Sequence, residues 1–156
     1  EIICVGEMRS SEAYTAQESA RTGHTVLTTI HSNSCESTYS RMRTLCKRKY
    51  DMDDEVLMDL VTEAFPIVVF TKQLENRKRK LMEIMECEIT ADGKRKYNPL
   101  YRYEITENRM EGDQFIINGI HKKVCGISKS LKKRFLENGM PVDVLEKIEK
   151  GGGKAC

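Results

Sequence analysis

The segment Val5–His31, VGEMRSSEAYTAQESARTGHTVLTTIH, decides the fold of the chain. The apolar run 2–5 predicts a short strand, buried on both faces, that ends just before Glu7. A helix rich in small residues follows, and the β-branched run 25–30 predicts a second strand that ends at His31. Because an α/β sheet places its chemistry at the carboxyl ends of its strands, we expect the carboxylate of Glu7 and the imidazole of His31 to lie at one edge.

The alternation of helices and strands continues beyond this segment. Ser34 and Asp53 are placed to cap two helices whose apolar residues recur at helical spacing. The apolar run 67–70 predicts a third strand. Residues 1–71 therefore have the order β-α-β-α-α-β, which is typical of a mostly parallel sheet covered by helices.

The pattern changes after residue 71. The runs 79–89 and 100–106 predict two antiparallel strands joined around Asp92-Gly93, and 114–119 predicts another strand. We therefore expect residues 72–120 to form a small antiparallel β region that continues the domain.

Two short helices are predicted at the end of the chain, at about 128–137 and 142–150, within a C-terminal helical region 121–150. The glycine-rich tail 151–156 is expected to be frayed. It lacks the following Ser or Thr and the helix that a phosphate-binding loop needs.

Length and composition limit the class of protein. The chain has 156 residues, enough for one ordinary domain, with 39 % hydrophobic and 32 % charged residues and a formal net charge of +2. No apolar run approaches the length needed to cross a bilayer, so we expect any membrane association to be peripheral. The six cysteines and three histidines match no zinc-binding spacing, so no metal site is predicted, and the scattered cysteines favour a cytoplasmic location.

Glu7 and His31 are the candidate catalytic residues. A carboxylate that follows a strand and a glycine can orient and polarise water for attack on a phosphoryl group. A neutral imidazole at the end of the neighbouring strand can donate a hydrogen bond to a terminal phosphate oxygen. The alternatives are a solvated glutamate and a surface histidine, and position alone favours them.

Two further side chains flank this pair in the sequence. Arg9 can steer a phosphate group or pair with Glu12. His24 begins the second strand, so we expect it at the opposite edge of the sheet from Glu7, in a turn or a subunit contact.

Two motifs carry a resemblance to a known family. VGEMR (5–9) resembles the Walker B segment, and TGHTVLTTIH (22–31) the His box, of the secretion ATPases of the PilT/GspE superfamily, which serve type II and type IV secretion, type IV pili and Tad-type pili. Their order and spacing also match. The later IVVFTKQLENRKRKLMEIMECEI (67–89) and MEGDQFIING (110–119) are similar to the CpaF-like, Tad-type branch.

The resemblance implies a fold and a set of roles. The fold is a portion of a RecA-like P-loop NTPase core, followed by the antiparallel β region and the C-terminal helices. Glu7 takes the place of the Walker B glutamate, and His31 that of the His-box histidine near the γ-phosphate. Arg9 acts in the nucleotide site or between subunits, and His24 is structural or lies at a subunit boundary.

The chain departs from the family pattern at one important point. It contains no Walker A loop, G-x-x-x-x-G-K-[ST], and not the acidic segment that separates this loop from Walker B. The chain also begins inside a predicted strand and without Met, so we expect these segments upstream of Glu1. ATP and Mg²⁺ are then cofactors of the full-length protein, and the fragment alone is expected to be inactive and to bind neither tightly.

The partners implied are other copies of the chain and secretion proteins. The family resemblance implies a hexamer that works with inner-membrane platform proteins at the cytoplasmic face of the membrane. Because the P-loop strand of such a sheet lies between the strand 25–30 and the strand 67–70, its absence leaves unpaired edges. We expect these edges to rearrange or to pair with a second copy.

Two other functions remain open. Residues 72–120 and the terminal helices can form a non-catalytic module that docks on a membrane platform or a neighbouring subunit. The basic runs 47–50, 76–80 and 93–97, with nearby tyrosines, can bind nucleic acid. Carboxylates interleaved among these runs dilute their charge, so no nucleic-acid partner is expected.

Overall fold

The structure, a computed structural model, describes residues 1–150 and has the mixed α/β fold that the sequence predicts. These residues form six strands and five helices: β1 Ile2–Val5, α1 Glu12–Arg21, β2 Thr25–Thr28, α2 Cys35–Lys47, α3 Asp54–Ala64, β3 Ile67–Gln73, β4 Arg79–Ile89, β5 Arg95–Glu111, β6 Gln114–Lys123, α4 Lys129–Glu137 and α5 Val142–Glu149. The frayed tail predicted at 151–156 lies outside the described residues.

The described chain divides into two compact units. One contains Glu1–Val68 and Cys87–Lys96, and the other contains Val69–Glu86 and the described residues 97–150. The first unit holds β1, β2 and the helices α1, α2 and α3. The candidate site lies within this first unit.

Strands β1 and β2 form a parallel two-stranded sheet. Ile2 lies opposite Thr25, and Val5 lies opposite Thr28. The prediction that β1 is buried on both faces is wrong, since Ile2 is 69 % exposed and Leu27 of β2 is 58 % exposed. The physical reason is the width of the sheet: two short strands present too narrow a surface for helices to cover both faces.

Helices α1, α2 and α3 pack on one another and form the core of the first unit. Ser34 caps α2 in a capping box, in which its hydroxyl accepts a hydrogen bond from the N–H of Ser37 at 3.0 Å. Asp53 caps α3, as predicted. Tyr39 of α2 is fully buried, and its hydroxyl donates to the carbonyl of Phe65 at 2.7 Å. These contacts fix where α2 and α3 begin and how they meet.

Strand β3 belongs to a four-stranded sheet with the order β3-β4-β5-β6. The run 67–70 is therefore a strand, but within the described residues it extends to Gln73 and does not join the sheet of β1 and β2. A tight turn explains this pairing: Arg77 has a φ of 58°, and the N–H of Leu74 donates to the carbonyl of Lys78 at 3.0 Å. A strand that folds back locally loses less chain entropy than one that pairs with a distant segment.

The rest of this sheet follows the predicted antiparallel pattern. The turn at Asp92-Gly93 joins β4 to β5, and Gly93 has the positive φ of 77° that such a turn requires. Strands β5 and β6 are antiparallel, with a bulge between Ile105 and Glu107. Both strands extend beyond their predicted runs.

Both predicted C-terminal helices are confirmed as α4 and α5. Ser128 caps α4, accepting from the N–H of Leu131 at 3.0 Å, and its own N–H donates to the buried carboxylate of Glu86 at 2.8 Å. The ammonium of Lys123 donates to carbonyls in the last turn of α5 at 2.6 and 2.7 Å. Polar contacts with β4 and β6 therefore hold both helices.

We expect Gly119→Ala to destabilise the protein by about 1 to 3 kcal/mol, because a side chain there has no room. A Cβ atom at Gly119 would lie 2.3 Å from the carbonyl oxygen of Glu104 and 2.6 Å from Cζ of Tyr103. Urea unfolding followed by tyrosine near-UV circular dichroism measures the change. The matched control is Gly126→Ala, where a Cβ meets nothing within 4 Å, and which should change stability by less than about 0.5 kcal/mol. Equal midpoints for the two variants would contradict the packing described here.

Candidate functional site

The candidate site lies where the chain leaves β1 and β2. Strand β2 ends at Thr28, two residues earlier than predicted, so His31 lies beyond the strand and not at its last residue. Two hydrogen bonds nevertheless hold the outgoing segments together. The N–H of Met8 donates to the carbonyl of Thr29 at 2.8 Å, and the hydroxyl of Thr29 donates to the carbonyl of Gly6 at 2.6 Å. These bonds continue the association of the two segments past the strands.

The structure brings Glu7, Arg9 and His31 together. One carboxylate oxygen of Glu7 (Oε2) accepts a hydrogen bond from Nη2 of Arg9 at 2.5 Å, and the other (Oε1) lies 3.3 Å from Nε2 of His31. The side chain of Glu7 is 23 % exposed, whereas those of Arg9 and His31 are 73 % and 84 % exposed. The carboxylate is therefore sheltered, and its two partners approach it from solvent.

Electrostatics at this site favour the ionised form of Glu7. The hydrogen bond from Arg9 lowers the pKa of Glu7 below its ordinary value of 4.5, and the positive fields of Arg9, His31 and Arg41 act in the same direction. Partial desolvation of the carboxylate opposes this shift. Glu7 is thus an anion at neutral pH, and both of its carboxylate oxygens can accept hydrogen bonds.

The backbone of Arg9 is held by two other side chains. One carboxylate oxygen of Glu12 accepts hydrogen bonds from the N–H of Arg9 at 2.5 Å and from the N–H of Ser10 at 2.8 Å. The guanidinium of Arg48 donates to the carbonyl of Arg9 at 3.0 Å. Of the two roles foreseen for Arg9, the pairing with Glu12 involves its backbone, while its guanidinium contacts Glu7.

His24 lies at the other end of the strand pair. It precedes Thr25, which is opposite Ile2 at the start of β1. Its Nδ1 lies 3.3 Å from the carbonyl of Ser19 in α1, and its Nε2 lies 4.0 Å from the carboxylate of Glu1. His24 is therefore separated from Glu7 by the length of the strands, and its contacts are with the end of α1 and the start of the chain.

The sequence did not reveal two cations that act on this site. Arg41 lies in α2 and contributes to the lowered pKa of Glu7, and Arg48 is the C-cap residue of α2. In the sequence, Arg48 is conspicuous only as a member of the basic run 47–50. The folding of α2 against the segment after β1 is a tertiary event, so no local motif marks either residue. The one available signal is that α2 follows His31 after only three residues.

The arrangement has a definite chemical capacity. A carboxylate can accept a hydrogen bond from water and orient it, while a guanidinium and an imidazole can donate to phosphate oxygens. Mg²⁺ prefers oxygen ligands, but Arg9 and His31 contact both oxygens of Glu7. In residues 1–150, no group of three His, Cys, Asp or Glu side chains is arranged to hold a metal ion. The described residues therefore do not build a Mg²⁺ site by themselves.

Two of the three basic runs, 47–50 and 93–97, form ion pairs within the chain. In the first run, the ammonium of Lys47 contacts the carboxylate of Asp54 at 2.7 Å. In the third, the guanidinium of Arg95 contacts Asp59 of α3 at 2.5 Å and is mostly buried. Such pairing reduces the positive charge that these runs can offer to a nucleic acid and favours a structural role for them.

Comparison with known proteins identifies the family. A sequence profile described as "Type II/IV secretion system protein" matches residues 1–139, and the chain belongs to this family. The protein transport protein HofB homolog of Haemophilus influenzae is 39 % identical over 59 residues, which make up 37 % of this chain and 13 % of that protein.

A solved structure supports the same fold. The crystal structure of the VirB11 ATPase from the Brucella suis type IV secretion system, in complex with sulphate, superposes with a TM-score of 0.51 at 24 % identity. The match covers 54 % of this chain and 27 % of that chain, so the chain spans much less than half of either relative. At this identity the likeness concerns the fold alone, which is a partial P-loop ATPase fold.

No helix among residues 1–150 is both long enough and apolar enough to cross a membrane.

We expect Arg9→Gln to raise the pKa of Glu7 toward 4.5, because it removes the positive charge and weakens the hydrogen bond that stabilise the carboxylate. Carbon-13 NMR titration of the Glu7 carboxyl group measures this change. The pKa of Glu7 is lower in the folded state than in the unfolded state, so the Glu7–Arg9 pair stabilises the fold above pH 4.5. This contribution is lost as the pH falls through the folded-state pKa of Glu7. The contribution is small, because water screens the exposed Arg9.

The matched control is Arg21→Gln, which removes a guanidinium of the same unit that pairs with Glu18 and Glu63. It should leave the pKa of Glu7 unchanged. A Glu7 pKa that does not move in Arg9→Gln either would show that the pair is absent in solution.

Proposed function

We propose that this chain is the Walker B and His-box segment of a secretion or pilus-assembly ATPase. The observation that carries the proposal is the contact of Glu7 with both Arg9 and His31, on the carboxyl side of two parallel strands in a chain of this family. Glu7 is the carboxylate that orients the attacking water, and His31 and Arg9 bind the terminal phosphate of ATP. The CpaF-like, Tad-type branch is proposed on the similarity of residues 67–89 and 110–119.

The present contacts indicate how the site responds to its substrate. Arg9 and His31 are exposed donors that both contact Glu7, and a phosphate oxygen is an alternative acceptor for the same two donors. When they move to a phosphate group, the carboxylate oxygens of Glu7 become available to a water molecule. Phosphate binding and activation of the nucleophile are then coupled through a single carboxylate.

Tight binding of ATP needs more than these residues. The 156 residues contain no Walker A loop, whose backbone N–H groups, lysine and hydroxyl hold the phosphates and Mg²⁺ in P-loop proteins. Bound Mg²⁺ supplies positive charge against the triphosphate. ATP and Mg²⁺ therefore bind the complete ATPase, and the chain 1–156 alone neither hydrolyses ATP nor binds it with useful affinity.

The proposal extends to the oligomeric state and location of the complete protein. The complete protein acts as a hexamer on the cytoplasmic side of the membrane, peripheral to it, and drives platform proteins of a secretion or pilus machine. His24, with its contacts at the amino ends of the strands, lies at a subunit boundary or has a structural role. The proposed divisions are an ATPase-core segment over residues 1–71, the β region 72–120 and the helical region 121–150.

A non-catalytic docking role for the β region is the second candidate. Met110 and Phe115 are paired across β5 and β6, and they are 53 % and 43 % exposed. Adjoining exposed apolar side chains can form part of a contact surface. This role is compatible with ATP hydrolysis by the first unit.

We expect Glu7→Gln in the complete ATPase to reduce ATP hydrolysis at least about a hundredfold and to leave ATP binding intact. The glutamine keeps the size of the side chain but is a much weaker acceptor of a proton. Turnover and binding of a fluorescent ATP analogue measure the two effects separately. The matched control is Glu75→Gln, an exposed carboxylate in the turn between β3 and β4, which should retain both. If Glu7→Gln turns over ATP as fast as this control, Glu7 is not the catalytic carboxylate.

We expect the melting temperature of the chain 1–156 to be the same with and without millimolar ATP and Mg²⁺, because a ligand stabilises a fold only where it binds. Differential scanning fluorimetry measures this. A clear upward shift with ATP, absent with adenosine, would show that these residues bind the triphosphate without a Walker A loop.

A further inference from the structure

The geometry points to Glu12, assisted by Arg48, as a positioning residue that fixes Glu7 and Arg9 through the backbone of Arg9. This inference rests on the proposed function for its catalytic consequence. The contacts that carry it lie within the first unit and are independent of any nucleotide.

The carboxylate of Glu12 holds the segment between β1 and α1 where this segment enters α1. Ser11 is the N-cap residue of α1, but its side chain makes no capping hydrogen bond. The carboxylate of Glu12 instead accepts from the N–H groups of Arg9 and Ser10, at 2.5 and 2.8 Å. These hydrogen bonds, together with that of its own N–H, lower the pKa of Glu12, and the nearby charge of Arg48 adds to the effect.

The other backbone group of Arg9 is held from α2. The guanidinium of Arg48 donates to the carbonyl of Arg9 at 3.0 Å, so side chains from two helices hold both the N–H and the C=O of this residue. On the strand side, Met8 is buried, with 1 % exposure, and its N–H donates to the carbonyl of Thr29. The three consecutive residues from Glu7 to Arg9 are thus anchored at Met8 and at Arg9.

This anchoring matters because the side chain of Arg9 is mostly exposed, so packing does little to orient it. It is 73 % exposed, and its guanidinium contacts Glu7 at its tip. A long, exposed arginine samples many rotamers unless its backbone is fixed. The carboxylate of Glu12 therefore acts on the site indirectly: it holds the point from which Arg9 reaches Glu7.

The direction in which the pKa of Glu7 changes in a Glu12 variant distinguishes a positioning role of Glu12 from an effect of its charge. Removing the negative charge of Glu12 would, by itself, lower the pKa of Glu7, since a like charge nearby raises a carboxyl pKa. Loss of positioning does the opposite, because Arg9 then stabilises the Glu7 carboxylate less. We expect Glu12→Ala to raise the pKa of Glu7 in the chain 1–156, and to speed hydrogen exchange at the N–H groups of Arg9 and Ser10.

Conservative variants and a control complete the test. Glu12→Gln keeps an acceptor oxygen, so it should partly restore slow exchange and leave the pKa of Glu7 nearer to its wild-type value. Glu18→Ala, on the same helix, should change neither quantity. Arg48→Gln and Arg48→Met remove the same charge, but only glutamine can still donate to the carbonyl of Arg9, so the methionine variant should show the larger effect. Carbon-13 titration and amide exchange by NMR measure all five variants, whose amide spectra also report whether they fold.

The catalytic consequence is measured in the complete ATPase. Glu12→Ala should lower kcat about tenfold, because it misplaces Glu7 and Arg9 in the transition state, and it should raise KM by a smaller factor, because Arg9 also contacts the terminal phosphate. Glu12→Gln should recover some of this loss. A fall in kcat accompanied by the expected NMR changes supports the inference.

Two results overturn it. A Glu7 pKa that stays the same or falls in Glu12→Ala shows that Glu12 does not position Arg9, whatever the enzyme does. An unchanged kcat, in an enzyme that Glu7→Gln inactivates, shows that the positioning has no catalytic role. If Glu7→Gln is itself fully active, the proposed function fails, while the NMR titration still decides whether Glu12 positions Arg9.

Discussion

The parallel register of β1 and β2 is the constraint on which the rest of the site depends. With Val5 opposite Thr28, the two strands end together, and the bonds from Met8 and Thr29 continue the association past their ends. Glu7 and His31 are separated by 24 positions in sequence, and this register brings their side chains to 3.3 Å. A shift by one residue would turn the outgoing side chains to the other face of the sheet and separate them.

The charged residues at this edge of the sheet act on the carboxylate of Glu7 in two ways: some contact it directly, and others hold the backbone of a residue that does. Glu7 is sheltered and ionised, and its partners are exposed and can leave it. Glu12 and Arg48 hold the backbone that carries Arg9 and do not touch Glu7 itself in the contacts described. The structure thus separates residues that can exchange partners from residues that fix geometry. Such a division suits a site that binds and releases a phosphate group in each cycle.

Much of this arrangement could be predicted from the sequence. Apolar runs bounded by glycine and capping residues located β1, α1, α2 and α3, because these signals are local. The convergence of Glu7 and His31 followed from a general rule of parallel sheets. The pattern could not show that Ile2 is exposed, since an apolar run does not reveal how many strands flank it. The sequence pattern also could not show which sheet contains β3, because the pairing of β3 with β4 depends on the tight turn at Arg77. The contributions of Arg41 and Arg48 depend on how α2 folds back, which no short motif encodes.

The most direct test of the central claim is a crystal structure of the complete protein with Mg²⁺ and a non-hydrolysable ATP analogue. We predict that the guanidinium of Arg9 and the imidazole of His31 leave Glu7 and contact the terminal phosphate, and that Glu7 faces a water molecule beside it. A terminal phosphate bound at another edge of the fold, with Arg9 and His31 still on Glu7, would contradict this claim.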